Sequence, residues 1–314
     1  MTAYSFTIEI LQVLILLFAA PAFTGWVRTV KCRMQGRTYA GIFQPYRNIS
    51  KLFSKEVILA ENASWIFRSM PYIVFGVTVI IGGIIPFISV DLPFADTADV
   101  IALVMLFAII RFFTALAGMD IGTAFGGMGS SREMTVSSLA EPAMLMAVFT
   151  VSLAANSTSL TQMVKVMGHG QFILRPSLAF AVLAFIIVYL TETGRVPVDN
   201  PSTHLELTMI HEAMILEYSG RHLALIEWAG MMKLFLFSVL GITVFCPWGI
   251  AASGDLLGIF VALLLLTAKL VVLGVAIVLI ETGLAKMRLF RLTEFLGTAF
   301  LLATLGMLSF YILE

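Results

Sequence analysis

Hydrophobic residues along the chain fall into long runs separated by short polar segments. Eight of these runs are close to 20 residues long, and an α-helix of that length crosses the hydrocarbon core of a bilayer. The pattern therefore predicts an all-α integral membrane protein, with residues 1–314 as a single membrane domain. The predicted transmembrane helices cover residues 5–27, 67–89, 99–119, 134–155, 174–193, 222–245, 256–281 and 292–313.

Two polar segments are longer than a connection between helices requires. Residues 28–66 contain the run IFQPYRNISKLFSKE, in which apolar residues recur at helical spacing among basic ones. This predicts an amphipathic helix on the membrane surface, with an interfacial helix of no further role as the alternative. Residues 194–221 form the second segment, which is the most polar stretch of the chain. The apolar positions of the first segment are Ile42, Phe43, Tyr46, Ile49, Leu52 and Phe53.

The composition supports a membrane location, and the distribution of basic residues predicts the orientation of the chain in the membrane. Hydrophobic residues make up 60% of the chain and charged residues only 12%, about half the charged share of a soluble domain. The segments after predicted helices 1, 3, 5 and 7, counted with the adjoining helix edges, hold 14 Lys and Arg residues, against 2 for the other segments. By the positive-inside rule, both termini face outside. The net charge of zero favours no nucleic-acid partner.

Motifs for metals and clusters are missing. Cys32 and Cys246 fall at opposite faces of the membrane, and no CxxC motif exists. The chain is therefore expected to bind no iron–sulfur or zinc site of its own. His211–Glu212 begins an HExxH pattern, but Ile215 stands where the second histidine is needed, which argues against a zinc hydrolase. No catalytic residue is assigned.

A glycine-rich segment, GTAFGGMGSSREM at residues 122–134, differs from a phosphate-binding loop. It lacks the GK[ST] ending and a preceding strand. We expect a close-packed turn here, leading into the fourth predicted helix.

Several ionisable residues lie within or at the ends of the predicted spans. Each costs several kcal/mol unless it faces a partner or a wet cavity, so each is a functional candidate. Such groups can pass protons along a polar file with water between them. The alternative is that they pair between helices and only lock the bundle. These residues are Arg111, Asp120, Glu141, Glu192, Lys233, Lys269 and Glu281.

The polar segments resemble a known family. The pattern Glu192-x-x-Arg195-x-Pro197-x-Asp199, followed by Glu206-Leu207 and Glu217-Tyr218-Ser219-Gly220, is similar to the long cytoplasmic loop of complex I subunit 1. IFQPYRNISKLFSKE resembles the amphipathic-helix signature of that family. Residues 109–142 are more similar to the formate hydrogenlyase and hydrogenase-4 branch, the group 4 [NiFe] hydrogenases, than to the NADH dehydrogenase branch.

The chain also departs from the family pattern. Ser202 and His204 stand where the family usually has carboxylates, and Val198 replaces the phenylalanine of a Pro-Phe-Asp motif. Arg37-Thr-Tyr-Ala-Gly41 replaces an Arg-x-Gly-Pro stretch before the amphipathic helix. These differences suggest a divergent subgroup whose soluble partner differs from a standard hydrogenase.

The resemblance implies a cofactor-free subunit in the inner membrane of a bacterium or archaeon. Its partners would be soluble hydrogenase-like large and small subunits, which hold [NiFe] and iron–sulfur clusters, together with antiporter-like membrane subunits and lipid. A bound quinone is possible in this family. Combined with the buried charges, the resemblance gives a candidate proton and coupling path of Glu141, Glu192, Arg195, Asp199, Glu206, Glu212, Glu217, Lys233, Lys269 and Glu281. The candidate docking residues are Arg47, Lys51, Lys55, Arg111, Asp120, Arg132, Glu133 and Tyr218.

Three other functions stay open at this point. The chain could be the quinone-site subunit of a complex I-type NADH dehydrogenase, although residues 109–142 argue against it. It could be a stand-alone ion transporter, but it lacks the internal repeat of many such proteins. It could also be a passive anchor whose buried charges are structural only.

Overall fold

The computed structural model describes residues 3–38, 41–90, 93, 99–169, 175–199, 209–251, 256–285, 287 and 289–313. Within these ranges the chain forms helices and only isolated bridges of β type. In chain order the helices are α1 Ala3–Met34, α2 Gln44–Phe53, α3 Trp65–Ile84, α4 Val100–Asp120, α5 Ala124–Ala155, α6 Leu160–His169, α7 Pro176–Glu192, α8 His211–Ile215, α9 Gly220–Phe245, α10 Leu256–Gly283 and α11 Leu289–Leu313.

The all-α membrane class is confirmed. Among the described residues, 7 helices are long and apolar enough to cross a membrane, and each matches a predicted span. The remaining predicted span corresponds to α7, which is apolar but has only 17 residues. At 1.5 Å per residue α7 is about 25 Å long. It ends at Glu192, which is buried inside the bundle. The predicted amphipathic helix is present as α2.

Three details of the predicted helices were wrong. α1 continues to Met34 instead of stopping near residue 27, since no Pro or Gly occurs between Val27 and Gly36, whose φ of 66° favours glycine. The glycine-rich segment 122–134 is helical from Ala124, and only its first residues form a turn. The helix α6 lies in a segment predicted to be a loop.

The early start of α5 has a packing reason. Gly126 lies directly against the backbone carbonyl of Gly118 on α4, so a side chain at either crossing point would separate the two helices. Ser130, one turn further on, donates a hydrogen bond to the Ala115 carbonyl at 2.8 Å. Small residues in this segment therefore form a close helix crossing, as is common in membrane bundles.

Helix α9 lies at the centre of the bundle. It packs against α1, α2, α3, α7 and α10, while α11 packs on α5 and α7. In the most apolar stretch of α9, 67% of residues are buried, compared with 28% for α10 and 22% for α11. Most of the surface of α9 is therefore enclosed by neighbouring helices, whereas most of α10 and α11 lies at the outside of the bundle.

The two long polar segments meet at one end of the bundle, which we call the platform (residues 41–64 and 209–220). Ser219 Oγ lies 2.8 Å from the Ile58 backbone nitrogen and 3.0 Å from its carbonyl oxygen, accepting from the former and donating to the latter. The Asp120 carboxylate accepts a hydrogen bond from the Ser64 backbone N–H at 2.9 Å. Gly220, with φ of 53°, lies against the Glu56 carbonyl. These contacts join the two segments into one surface.

A glycine holds α2 close to the first span. A Cβ atom added at Gly25 of α1 would overlap the Ile42 backbone carbonyl just before α2. We expect Gly25→Ala to push α2 away from α1 and to lower the unfolding free energy by about 1–3 kcal/mol, the usual effect of overpacking. Denaturant unfolding in detergent measures the loss, and faster trypsin cleavage at Lys51 reports the displaced helix.

The matched control is Gly76→Ala in α3, where an added Cβ meets no atom within 4 Å. Alanine is the better helix former, so this variant should be as stable as the original protein or slightly more stable. Equal stability of the two variants would show that the approach of Ile42 to Gly25 is not constrained.

Candidate functional site

Glu192 is the centre of a buried group of charges. It is the last residue of α7 and is 6% exposed. Its Oε1 lies 2.8 Å from Arg111 Nη2 on α4, and its Oε2 lies 3.0 Å from Lys233 Nζ on α9. Arg111 Nε lies in turn 3.3 Å from Glu133 Oε1 on α5. Four helices thus contribute one charge each to a continuous series, which we call the Glu192 chain.

A second group surrounds Glu281 near the end of α10. Glu281 is 5% exposed. Its Oε1 lies 2.8 Å from Arg195 Nη1, and its Oε2 lies 2.9 Å from Lys31 Nζ at the end of α1. This trio, the Glu281 cluster, also shares one carboxylate between two cations.

One short segment belongs to both groups. Helix α7 ends at Glu192, the chain turns at Gly194 with φ of 59°, and Arg195 follows immediately. The turn is closed by a 2.9 Å hydrogen bond from the Arg195 N–H to the Leu190 carbonyl. Because only two residues separate Glu192 from Arg195, any shift of this turn moves both groups together.

All members of both groups except Arg111 line one cavity of about 550 Å³ that reaches the platform at Asn48 and Tyr218. This is far more than the roughly 10–15 Å³ that one water molecule requires. A second pocket of about 40 Å³ adjoins it and is lined by Arg111, Glu133 and Lys233. The paired charges therefore border space for water. The ionisable residues of the larger cavity are Arg28, Lys31, Glu133, Glu192, Arg195, Asp199, His211, Glu212, Glu227, Lys233 and Glu281.

The other predicted path residues lie at different distances from these groups. Glu141 is two turns beyond Glu133 on α5 and accepts a hydrogen bond from Ser137 Oγ on its own helix. Asp199 is buried and accepts hydrogen bonds from the backbone N–H groups of Ile210 and His211 at 3.2 and 3.3 Å. Of the remaining acidic candidates, Glu212 lines the cavity and Glu217 is exposed on the surface. Glu206 lies outside the described residues.

Lys269 lies apart from the other charges. Its Nζ donates to the carbonyl oxygens of Cys246, at 2.7 Å, and of Trp248. Both carbonyls follow the C-terminal end of α9, whereas the platform is at the N-terminal end of that helix. The structure therefore does not bring Lys269 to the candidate path, and a cation beside free carbonyls at a helix C-terminus has a capping role.

The predicted docking residues divide into two kinds. Arg47, Lys51 and Lys55 are exposed on the platform. Arg111 and Tyr218 are each 4% exposed, so the structure does not offer them as surface contacts.

Two further docking candidates form hydrogen bonds with the backbone of the platform segments. Arg132 Nη1 donates to the Met209 carbonyl at 3.1 Å, and Asp120 accepts from Ser64 as described above. Glu133 belongs to the Glu192 chain.

Tyr218 is a structural member of the platform. Its ring stacks on Phe67 at 3.9 Å between centroids, and its hydroxyl donates to the Phe67 carbonyl at 2.9 Å. Burial raises the pKa of the Tyr218 hydroxyl, and the nearby Asp120 carboxylate raises it further. The hydroxyl therefore keeps its proton and remains a donor at neutral pH.

Sequence reasoning missed two members of the site. Lys31 was assigned to a loop because α1 was ended too early, yet the uninterrupted segment from Val27 to Met34 contains no Pro or Gly that would stop a helix. Glu227, a lone carboxylate in the first half of α9, lines the cavity and was not singled out. Within the described ranges, no three His, Cys, Asp or Glu side chains lie together as metal ligands.

The fold and the site define a class of protein. It is a multi-pass α-helical membrane protein whose polar interior contains shared ion pairs and connects, through a cavity, to a platform at one end.

Comparison with known proteins identifies the family. A family model described as NADH dehydrogenase matches residues 7–312. The chain therefore belongs to the NADH dehydrogenase subunit 1 family.

Curated relatives specify the branch. The chain is 31% identical to formate hydrogenlyase subunit 4 of Escherichia coli, a match covering 89% of this chain and 90% of that one. It is 32% identical to hydrogenase-4 component C of the same organism, over 94% and 92% of the two chains. NADH-quinone oxidoreductase subunit 8 of Rhodothermus marinus is 28% identical over 66% of this chain and 61% of the other. The resemblance to the hydrogenase-4 and formate hydrogenlyase branch is confirmed.

A solved structure supports the fold. A chain of the archaeal membrane-bound sulfane sulfur reductase, a respiratory membrane complex, superimposes with a TM-score of 0.84 over 97% of this chain and 98% of that one. At 20% identity this likeness concerns the fold alone.

The Glu192 chain generates a stability prediction. Glu192→Ala leaves Arg111 and Lys233 buried without their shared carboxylate, so we expect a loss of about 3–5 kcal/mol in unfolding free energy. Denaturant titration in detergent measures it. Glu294→Ala, on an exposed residue of α11, is the control and should change stability by less than about 0.5 kcal/mol.

A double-mutant cycle tests whether the charges act together. Because Lys233→Met removes one of the two stranded cations, Glu192→Ala combined with Lys233→Met should lose less than the sum of the single variants. Strict additivity would show that the 3.0 Å pair contributes no coupling energy.

Proposed function

We propose that this chain is a membrane anchor and coupling subunit without a cofactor of its own. It docks the soluble electron-transfer arm of a hydrogenase-4-like respiratory complex and links the redox reaction of that arm to translocation of protons or sodium ions. The [NiFe] and iron–sulfur clusters belong to the soluble partners in this proposal, and antiporter-like membrane subunits receive the signal. The relatives named above support the type of complex, since they are hydrogenase and hydrogenlyase subunits.

The observation that carries the proposal is the sharing of carboxylates. Charges that only lock a bundle need one partner each, in dry contact between helices. Here Glu192 and Glu281 each have two cationic partners, and all of these except Arg111 line the same cavity. Charges this close to one another interact strongly in a protein interior. A change in the charge or position of one member therefore changes the electrostatic energy of the others.

The turn at residues 192–195 supplies the mechanical link. It carries one member of each charge group, and Asp199 just beyond it binds the backbone of Ile210 and His211 at the edge of the platform. A partner that binds the platform and shifts this segment would move Glu192 relative to Lys233, and Arg195 relative to Glu281. Redox events in the partner would thus alter the buried ion pairs without any electron entering this chain.

The orientation in the proposal follows the distribution of basic residues. The platform, with exposed Arg47, Lys51 and Lys55, faces the cytoplasm of a bacterium or archaeon, and both termini lie outside. In this orientation the cavity receives protons from the cytoplasm.

Amide substitution of the shared carboxylates tests coupling. In the assembled complex, Glu192→Gln and Glu281→Gln should retain electron transfer and lose most of the ion yield per electron pair, because the amide cannot carry charge. Proton uptake by everted vesicles, with sodium flux measured in parallel, gives the yield. Glu294→Gln is the control, and the purified chain alone in liposomes should transport neither ion.

A wild-type ion yield in both carboxylate variants would reduce the chain to a passive anchor. Robust transport by the chain alone would favour a stand-alone transporter. Competition by a quinone-site inhibitor would favour the alternative of a quinone-reducing subunit.

Charge reversal tests docking. Lys51→Glu combined with Lys55→Glu should release the soluble arm during purification while the membrane subunits stay together, since the partner would meet like charge on the platform. Co-purification in mild detergent at low and high salt measures the loss. Lys165→Glu, at an exposed position on α6 at the opposite end of the bundle, should leave the assembly intact. An unchanged arm content in the double variant would place docking elsewhere.

A further inference from the structure

Gly230 of α9 lies where the large cavity meets the small pocket. Both spaces are lined by this residue. Gly230 is exposed, and a Cβ atom added there would meet no atom within 4 Å, so the residue faces open space.

Neither backbone conformation nor packing requires glycine at this position. Gly230 does not have the positive φ that favours glycine, and no neighbouring helix approaches it closely. A glycine inside a helix is about 1 kcal/mol less favourable than alanine. Having glycine at position 230 leaves free space where another residue would have its side chain.

This space lies along a polar strip of α9. Glu227, Gly230 and Lys233 follow one another at intervals of three residues and line the cavity together. Gly230 is therefore one turn away from a cavity carboxylate on one side and from the Glu192 chain on the other.

The small pocket beyond Gly230 has a donor that needs a partner. Arg111 is 4% exposed and lines this pocket, and its Nη1 has no hydrogen-bond acceptor among the described residues. Buried guanidinium nitrogens normally have acceptors. The pocket volume of about 40 Å³ accommodates water, which needs roughly 10–15 Å³ per molecule.

We propose that Gly230 is the water passage between the large cavity and Arg111. Its missing side chain keeps the inner end of the Glu192 chain in contact with the water of the cavity, so that protons exchange between Glu227 and Lys233 through water at this point. This rests on the proposed coupling function and adds a position at which a side chain would reduce the space between the large cavity and the small pocket.

The test fills the passage. Gly230→Ala, Gly230→Val and Gly230→Leu are introduced in the assembled complex, with Gly76→Leu as the matched control at a helical glycine that also faces open space but lines neither cavity. Water access is measured by hydroxyl-radical footprinting of Met214, which lines only the small pocket. Ion yield per electron pair is measured on the same vesicles.

We expect Met214 oxidation and ion yield to fall severalfold in Gly230→Leu, to fall less in Gly230→Val, and to stay near the original values in Gly230→Ala and Gly76→Leu. If Gly230→Leu does not accumulate in the membrane, the oxidation and ion yield of Gly230→Val decide between the outcomes. Undiminished Met214 oxidation overturns the water passage, whatever happens to the ion yield. Reduced oxidation with a full ion yield overturns its role in coupling. A full ion yield in Glu192→Gln, by contrast, contradicts the proposed function and leaves the footprinting result for Gly230 standing.

Discussion

The interaction on which the interior depends is the double pairing of Glu192 with Arg111 and Lys233. A carboxylate at this depth of a membrane bundle is unfavourable without cations in direct contact. The requirement fixes where α7 must end and how closely α4 and α9 approach it. The same carboxylate pairs with both cations, and Arg111 pairs in addition with Glu133, so the charges form a series instead of separate pairs.

The series has a connection to the surface because α7 is short. If α7 continued beyond Glu192 until it had crossed the whole membrane, the turn that follows it would lie on the surface. The early end instead places this turn inside the bundle and brings Arg195 to Glu281. The platform, the cavity and both charge groups are thereby joined through a few residues of backbone.

Two residues that the sequence singled out have a physical role in the structure. Val198, in place of phenylalanine, is buried in a small second core with Val136 and Ile210, close to the entrance of the cavity. Lys269 shows that a charge within a predicted span need not belong to a path, since it satisfies carbonyl groups at the far end of α9. Burial of charge is therefore a useful signal only together with the identity of its partners.

The sequence alone located the membrane-crossing helices and their approximate limits, because each membrane crossing requires a long local run of apolar residues. It also singled out Glu192, Lys233 and Glu281, since a charge in such a run is unusual, and the resemblance of the polar loop added Arg195. Tertiary structure alone decided which charges meet, that Lys31 joins them and Lys269 does not, and where space for water remains. Partner choice and cavities depend on contacts between residues far apart in the chain, such as Lys31 with Glu281, and no local pattern encodes those distances.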